Sequence, residues 1–440
     1  MADILVAPPT APPEPMRPVS SGERISVVDI LRGVALFGII TANMRGFSAP
    51  ELVYFNIDKM FNGQADKFVQ GFVDLFIQGK FVTLFSFLFG LGFAIQMSRA
   101  EASGKSVKFY PRRLAVLLVI GCIHAFLIWW GDILIGYALT GFVLFAFRKA
   151  SQKTIAITAL ALSIGPFFGF AGYLTYRTIM PEKLSAQEKA KKEKERADDK
   201  AKFLVDMQKS AEIGRSNDYV AIAKDNFQGW WRGNRAIPFL VFLFVLPRFL
   251  AGLWVFRSGV VTNVQEYLPV IRKVMWRALA IGVLADAISL TCNHFSPDGP
   301  GPTWWDFGAQ FWQNISLVAI ACFYACLVAV LVQNAAWKKR LEPFGNVGRM
   351  ALTNYLTQSL VCTWFFRLTG LYGKVGPAWD LLPTFLVYGL QVPLSGWWLQ
   401  RYQFGPAEWV WRAFTYGYKP PMRRVEQEPP AQALAGVANE

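Results

Sequence analysis

Ten mostly apolar runs, separated by short polar connections, set the pattern of this 440-residue chain. They cover approximately residues 25–44, 72–97, 114–130, 133–147, 155–176, 237–256, 274–291, 311–332, 351–369 and 381–398. Most approach the ~20 residues that an α-helix needs to cross ~30 Å of hydrocarbon. The pattern therefore predicts an all-α, polytopic integral membrane bundle of about ten transmembrane helices. The second run departs from it, because the stretch 67–98 is too long for one straight crossing. Its centre, Gln78-Gly79-Lys80, predicts a break between an interfacial lead and a span.

Charge sorts by connection. Arg99, Lys105, Lys108, Arg112 and Arg113 lie between the second and third runs, and Arg148, Lys149 and Lys153 follow the fourth. Arg257, Arg272 and Lys273 follow the sixth, and Lys338, Lys339 and Arg340 the eighth. The alternate short connections are poor in Lys and Arg, which places both termini in the cytoplasm. The connection 177–235 is long and carries "EKAKKEKERADDKAK", with helix-supporting pairs such as Glu188–Lys192 and Asp198–Lys202. By the alternation it lies outside the cytoplasm. It reads as a charged helical hairpin or lid, with a polyanion- or glycan-binding lid as the second reading.

Composition agrees with a membrane class. Charged residues make up 17% of the chain and hydrophobic ones 53%, where a soluble protein carries about a quarter charged residues. The net charge of +15 would suit nucleic acid, but it sits at the ends of the apolar runs, so the partner is the lipid bilayer and nucleic acid is excluded. Five cysteines show no CxxC or Cys/His spacing, which gives no support to a disulfide framework or a metal site. Residues 1–23, rich in proline and without an apolar core, read as a disordered cytosolic tail rather than a signal peptide. Residues 419–440 read as a second tail. Between them, 24–176 and 236–418 form two transmembrane halves. A homo-oligomer is compatible with this pattern.

Ionisable groups in hydrocarbon are candidates for function because each costs about 2.5–3.5 kcal/mol at mid-span. Asp29 and Arg32 in the first run are spaced to pair with each other. Gly33, Gly38, Gly90 and Gly92 would let helices approach closely. Lys80 reads as a snorkelling side chain. Arg248 sits mid-span and is expected inside the bundle, with Asp286 as its partner. Asn354 and Gln358, four residues apart, share a helix face suited to interhelical hydrogen bonds or ligand contact.

His124 is the sharpest candidate. Eleven residues make close to three turns, so Arg113 and His124 share a face roughly 16 Å apart. Asp132 follows across the "WWGD" turn, where it can fold back to orient the imidazole. Imidazole suits proton abstraction from a hydroxyl at neutral pH. The enzymatic reading rests on one premise, that Arg113 and His124 line a shared conduit.

The segments "RISVVDILRGVALFGIITANM", "GKFVTLFSFLFGLGFA", "GCIHAFLIWWGDILIGYALTGF", "GRMALTNYLTQSL" and "FGPAEWVWRAFTYG" resemble the YeiB-like family of bacterial multipass proteins. The last two belong to its C-terminal domain of unknown function 418. The N-terminal half is similar to a wider transmembrane acyltransferase superfamily, which includes heparan-glucosaminide N-acetyltransferases and acyltransferase-3 proteins. The latter carry an arginine, ten intervening residues and a histidine, a spacing that Arg113 and His124 match. The resemblance implies a bacterial inner-membrane enzyme moving an acyl group, acetyl above all, from cytosolic acyl-CoA to an extracytoplasmic glycan or small-molecule acceptor. On that reading Arg113 contacts acyl-CoA and His124 is the general base, with Arg248 or Asn354 as candidate oxyanion donors. The competing expectation is a transporter or exporter of a small solute or glycan precursor, since intramembrane charges and glycines serve a translocation path equally well.

Overall fold

The computed structural model describes residues 26–54, 61, 63–104, 106–180, 185–234, 237–297 and 301–424. The expected tail 1–23 and residues 425–440 lie outside the described residues. Among the described residues the chain is helical, with a single isolated β-bridge between Tyr402 and Arg423. The helices are α1 (Ser26–Ser48), α2 (Glu51–Tyr54), α3 (Gln64–Phe76), α4 (Lys80–Ala102), α5 (Phe109–Ile123), α6 (Leu134–Ala146), α7 (Gln152–Ile179) and α8 (Ala186–Gly214). They continue as α9 (Tyr219–Asn234), α10 (Ile237–Arg257), α11 (Val264–Phe295), α12 (Trp304–Leu331), α13 (Ala335–Arg349), α14 (Ala351–Leu368), α15 (Pro377–Arg401) and α16 (Pro406–Tyr416).

Six described stretches are long and apolar enough to cross a membrane: Ser26–Ser48, Gln64–Ala102, Phe109–Ile128, Gln152–Ile179, Val264–Phe295 and Trp304–Leu331. The protein is a helical membrane protein. The second stretch is broken where its length demands it, because Gly79 adopts φ +75° between α3 and α4, a left-handed conformation that favours glycine. At 13 residues α6 spans only about 20 Å.

Apolar surface sorts these helices into centre and periphery. α1 is buried along most of its length and packs against α4, α13, α14 and α15. By contrast α7 exposes Ile157, Leu160 and Phe168, and α11 exposes Val283, Leu284 and Leu290. In water such faces would be aggregation sites, whereas in a bilayer they face the solvent that suits them. Glycine sets the closest approaches in the centre. A Cβ on Gly33 would lie 1.9 Å from the Phe344 carbonyl oxygen, and one on Gly90 would lie 1.9 Å from that of Phe249. Any larger residue there would push α1 off α13, or α4 off α10.

The connection 177–235 folds as the hairpin α8–α9. Ser185 and Glu188 form a capping box at the start of α8, satisfying two N–H groups that a helix start leaves open. At the other terminus, the expected tail boundary at 419 is too early. The Gln403 N–H donates to the Met422 carbonyl (2.9 Å), the Arg424 N–H to that of Arg401 (3.1 Å), and the Trp409 indole N–H to that of Pro420 (2.7 Å). These bonds strap the chain across α16.

Candidate functional site

The site starts from a helix that widens at its end. The Trp129 N–H donates to the carbonyl of His124, five residues back (2.9 Å). This makes His124–Ile128 a π-type turn at the end of α5, a geometry frequent at functional sites. The turn brings Asp132 back onto His124, with Nδ1 and Oδ2 2.7 Å apart and both side chains fully buried. The other carboxylate oxygen accepts the Ile135 N–H at the start of α6 (2.9 Å). In the neutral imidazole, donation from Nδ1 to this carboxylate leaves the lone pair on Nε2. Nε2 is buried and has no hydrogen-bond partner. Trp129 fixes the turn by donating its indole N–H to the Gly46 carbonyl (2.7 Å).

A cavity of about 1130 Å³ opens beside this turn. It follows α1 from Asp29 to Asn43, fourteen residues or about 21 Å. One end is lined by five arginines, Arg32, Arg99, Arg113, Arg349 and Arg412, against the two acids Asp29 and Glu408. These residues come from the starts of α1 and α5, the ends of α4 and α13, and α16. The other end is apolar, with Leu36, Ile39, Phe85 and Leu88, and carries the phenols Tyr137 and Tyr355. The electrostatics therefore run from a cationic mouth to an apolar interior.

α16 builds much of the mouth. The Glu408 carboxylate accepts the Leu352 and Thr353 N–H groups (2.6 and 3.2 Å) and the Thr353 hydroxyl (2.5 Å). It thereby caps α14 from 56 residues away and holds α16 on the bundle. Trp411 donates its indole N–H to the Arg113 carbonyl (2.8 Å), and the Arg113 guanidinium lies 3.6 Å over the Trp411 ring. Such stacking suits arginine, whose planar cation is weakly hydrated.

The candidate residues divide. Asp29 and Arg32 pair at 3.2 Å, and both line the cavity with Arg113. His124 does not reach the cavity wall. Its imidazole lies one ring behind, 5.1 Å from that of Tyr355, which does line the cavity, as do Gly131, Ile133 and Leu134 beside the dyad. The shared conduit on which the enzymatic reading rested is therefore not present: Arg113 lines the cavity, His124 lies behind Tyr355, and an enzymatic role for His124 requires Tyr355 to move.

Other expectations are corrected outright. Asp286 pairs with Lys80 at 3.4 Å, not with Arg248. Lys80 does not snorkel, since its ammonium is fully buried and also donates to the Asp74 carbonyl (2.6 Å). Arg248 donates to Asn314 Oδ1 (3.0 Å), to the Phe244 carbonyl and to Thr83 Oγ1 (3.4 Å). The lysine sits nearer Asp286 because the Gly79 break sets it at the first position of α4. Asn354 donates to the Val347 carbonyl and to Ser395 Oγ (both 3.1 Å), and Gln358 donates to Gln391 Oε1 (2.8 Å). These bonds join α14 to α13 and α15. Like His124, neither Arg248 nor Asn354 lines the cavity.

Tyr355 escaped the sequence reading. It follows Asn354, so on the helix it points about 100° away from the face that Asn354 and Gln358 share. Its hydroxyl is buried against the Ile133 backbone.

The family model "Protein of unknown function (DUF418)" matches residues 255–418. The "Uncharacterized protein YxaH" of Bacillus subtilis is 35% identical over 417 residues, covering 91% of this chain and 96% of the relative. The "Uncharacterized protein YeiB" of Escherichia coli is 27% identical over 400 residues, covering 89% and 96%. The "Uncharacterized 39.9 kDa protein in amylase 3'region" of Bacillus acidopullulyticus is 26% identical over 415 residues, covering 92% and 98%. No solved structure matches the chain.

Proposed function

This chain belongs to the YeiB-like, DUF418-containing family, and we propose that it is an inner-membrane acyltransferase using cytosolic acyl-CoA. One observation carries the reading: a cavity with an arginine-lined mouth runs inward to Tyr355, and directly behind that ring lies a buried His124–Asp132 dyad. The ligand that fits such a gradient has a polyanionic head and a long, weakly polar arm. Acyl-CoA has both, its phosphates meeting Arg32, Arg99, Arg113 and Arg412 and its thioester lying towards Tyr355. The positive-inside pattern puts that mouth, and both termini, in the cytoplasm.

The chemistry then needs Tyr355 to swing aside. An acceptor hydroxyl or amine attacks the thioester carbonyl carbon while His124 Nε2 takes its proton, and Asp132 stabilises the imidazolium. The C–S bond breaks, and the departing thiolate recovers the proton as free CoA thiol. On this reading the Tyr355 hydroxyl, once turned, donates a hydrogen bond to the carbonyl oxygen. A transporter would use the same cavity to pass an anionic solute, with the His124–Asp132 pair as a proton relay, and acetyl-CoA turnover is what separates the two readings.

The test uses purified protein in detergent with labelled acetyl-CoA, following thioester cleavage and label transfer to glycan acceptors. His124→Ala should lower turnover at least ~100-fold, the lower range for general-base removal, and leave acetyl-CoA binding within a factor of two or so of wild type. Unchanged turnover in His124→Ala would remove the base, and absence of acetyl-CoA binding by wild type would remove the reading.

A further inference from the structure

On the side of the His124 turn away from the arginine mouth, the α8–α9 hairpin closes over the bundle. Phe126 in the turn packs against Phe227 and Trp230 of α9 (ring centroids 5.3 and 5.5 Å), and the Tyr219 hydroxyl donates to the Leu127 carbonyl (2.7 Å). Arg232 reaches Glu51 at 3.2 Å, and Arg215 donates to the Tyr372 carbonyl (2.7 Å). Beneath this cover Arg367 of α14 donates through Nη2 to Asn226 Oδ1 of α9 (3.1 Å).

That bond leaves an unusual residue of donors. Arg367 and Asn226 are 6% and 1% exposed, yet among the described residues Arg367 Nε, Arg367 Nη1 and Asn226 Nδ2 find no hydrogen-bond acceptor. Three buried N–H groups, two of them on a cation, carry a desolvation cost that a bound acceptor would offset. Two acids lie nearby, and the Arg367 charge acts on one of them, Asp225, without a hydrogen bond to it. Both oxygens of Asp225 lie 2.6 Å from Ser210 Oγ, and Glu51 is held by Arg232. The Arg367 guanidinium carbon lies over the Tyr372 ring, 5.2 Å from its centroid. A group that only accepts, carries negative charge and has at least two oxygens satisfies all three donors: a carboxylate or a phosphate.

We propose that Arg367 and Asn226 form an oxyanion-binding site beneath the α8–α9 hairpin, and that it holds the carboxylate or phosphate of the acceptor. The hairpin is then the lid under which the acceptor meets the His124 turn from the side opposite acyl-CoA. Assigning the anion to the acceptor rests on the acyl-transfer reading; the anion site itself does not.

The test is binding by the full-length protein in detergent, at constant ionic strength, with inorganic phosphate and with glucuronate as separate probes. Wild type is compared with Asn226→Asp and Arg367→Gln. Because both variants keep the cavity arginines, only the difference from wild type reports on this site. In Asn226→Asp the new carboxylate pairs with Arg367 itself, so the unliganded melting midpoint holds or rises while affinity for the probe falls at least tenfold. A phosphate-led response assigns a phosphorylated acceptor, and a glucuronate-led one a sugar acid. Equal affinity in wild type and Asn226→Asp overturns the site. Anion binding that persists where acetyl-CoA turnover fails overturns only the acyl-transfer reading, whereas turnover with no variant-sensitive anion binding overturns only this inference.

Discussion

Two ion pairs of nearly equal length sit in the hydrophobic interior and do different work. Lys80 and Asp286 meet at 3.4 Å with side chains 0% and 8% exposed, while Arg32 and Asp29 meet at 3.2 Å with side chains 30% and 16% exposed. The first is sealed between α4 and α11, and its ammonium is also held by the Asp74 carbonyl. The second stands at the mouth of the cavity. Distance alone therefore says little about an intramembrane charge. A pair closed on all sides is part of the scaffold, because losing one partner strands the other where nothing can hydrate it. A pair opening onto a cavity can trade its partner for water or ligand, so its cost is small and its charge is available.

The sharpest way to break this contrast is Lys80→Met. It should destabilise the fold by about 3–5 kcal/mol, the cost of an unpaired buried charge, seen as a marked loss of monodisperse protein on heating in detergent. Lys80→Met with Asp286→Leu should recover most of that loss, since a well-packed apolar pair replaces a buried ion pair with little penalty. A single variant as stable as wild type would place Lys80 among the accessible charges after all.

Arg32→Gln should behave in the opposite sense. Its stability cost should stay below ~1 kcal/mol, while acetyl-CoA affinity falls roughly tenfold, equivalent to about 1.4 kcal/mol of a charge-assisted contact. Titration of ligand-induced tryptophan quenching would measure the second effect and the melting midpoint the first. A large stability loss with unchanged affinity would make Arg32 as structural as Lys80.

This division explains what the sequence could and could not tell. Period and length alone reveal the long apolar helices and the break at Gly79, because each is a local consequence of helix geometry. Asp132 is legible for the same reason, lying one turn and a bend from His124. The partner of Asp286 is not, since Lys80 stands 206 residues away and a pairing of two spans leaves no mark on either. The mouth was read in half. Arg99 and Arg113 show as loop charges, but Arg349 and Arg412 join them only when α16 folds over α5, held by Glu408 on the start of α14. Tyr355 was hidden differently, by looking apolar in a segment whose polar neighbours drew attention.

A third pair lies between the two extremes and gives the finest test. Glu51 and Arg232 tie the hairpin to α2 at 3.2 Å, with side chains 8% and 34% exposed, so only the carboxylate is sealed. Burial pushes the Glu51 carboxyl above its ordinary value, and the Arg232 guanidinium offsets that only in part. For a carboxyl raised in the folded state, the favourable contribution is complete below the unfolded value of about 4.3. It is lost as pH climbs through the raised folded value, because the ionised form must then be held against its desolvation. Hairpin docking should therefore loosen slightly from acid to neutral pH in wild type. Glu51→Gln should abolish that slope and leave the exposed side of Arg232 hydrated. Limited proteolysis of the lysine-rich α8, taken as the ratio of variant to wild type at each pH, cancels the protease's own pH dependence. The expected change is a few-fold at most, the smallest of the three. A ratio constant across the range would mean that Glu51 keeps one charge state throughout, and would move this pair into the company of Asp29 and Arg32.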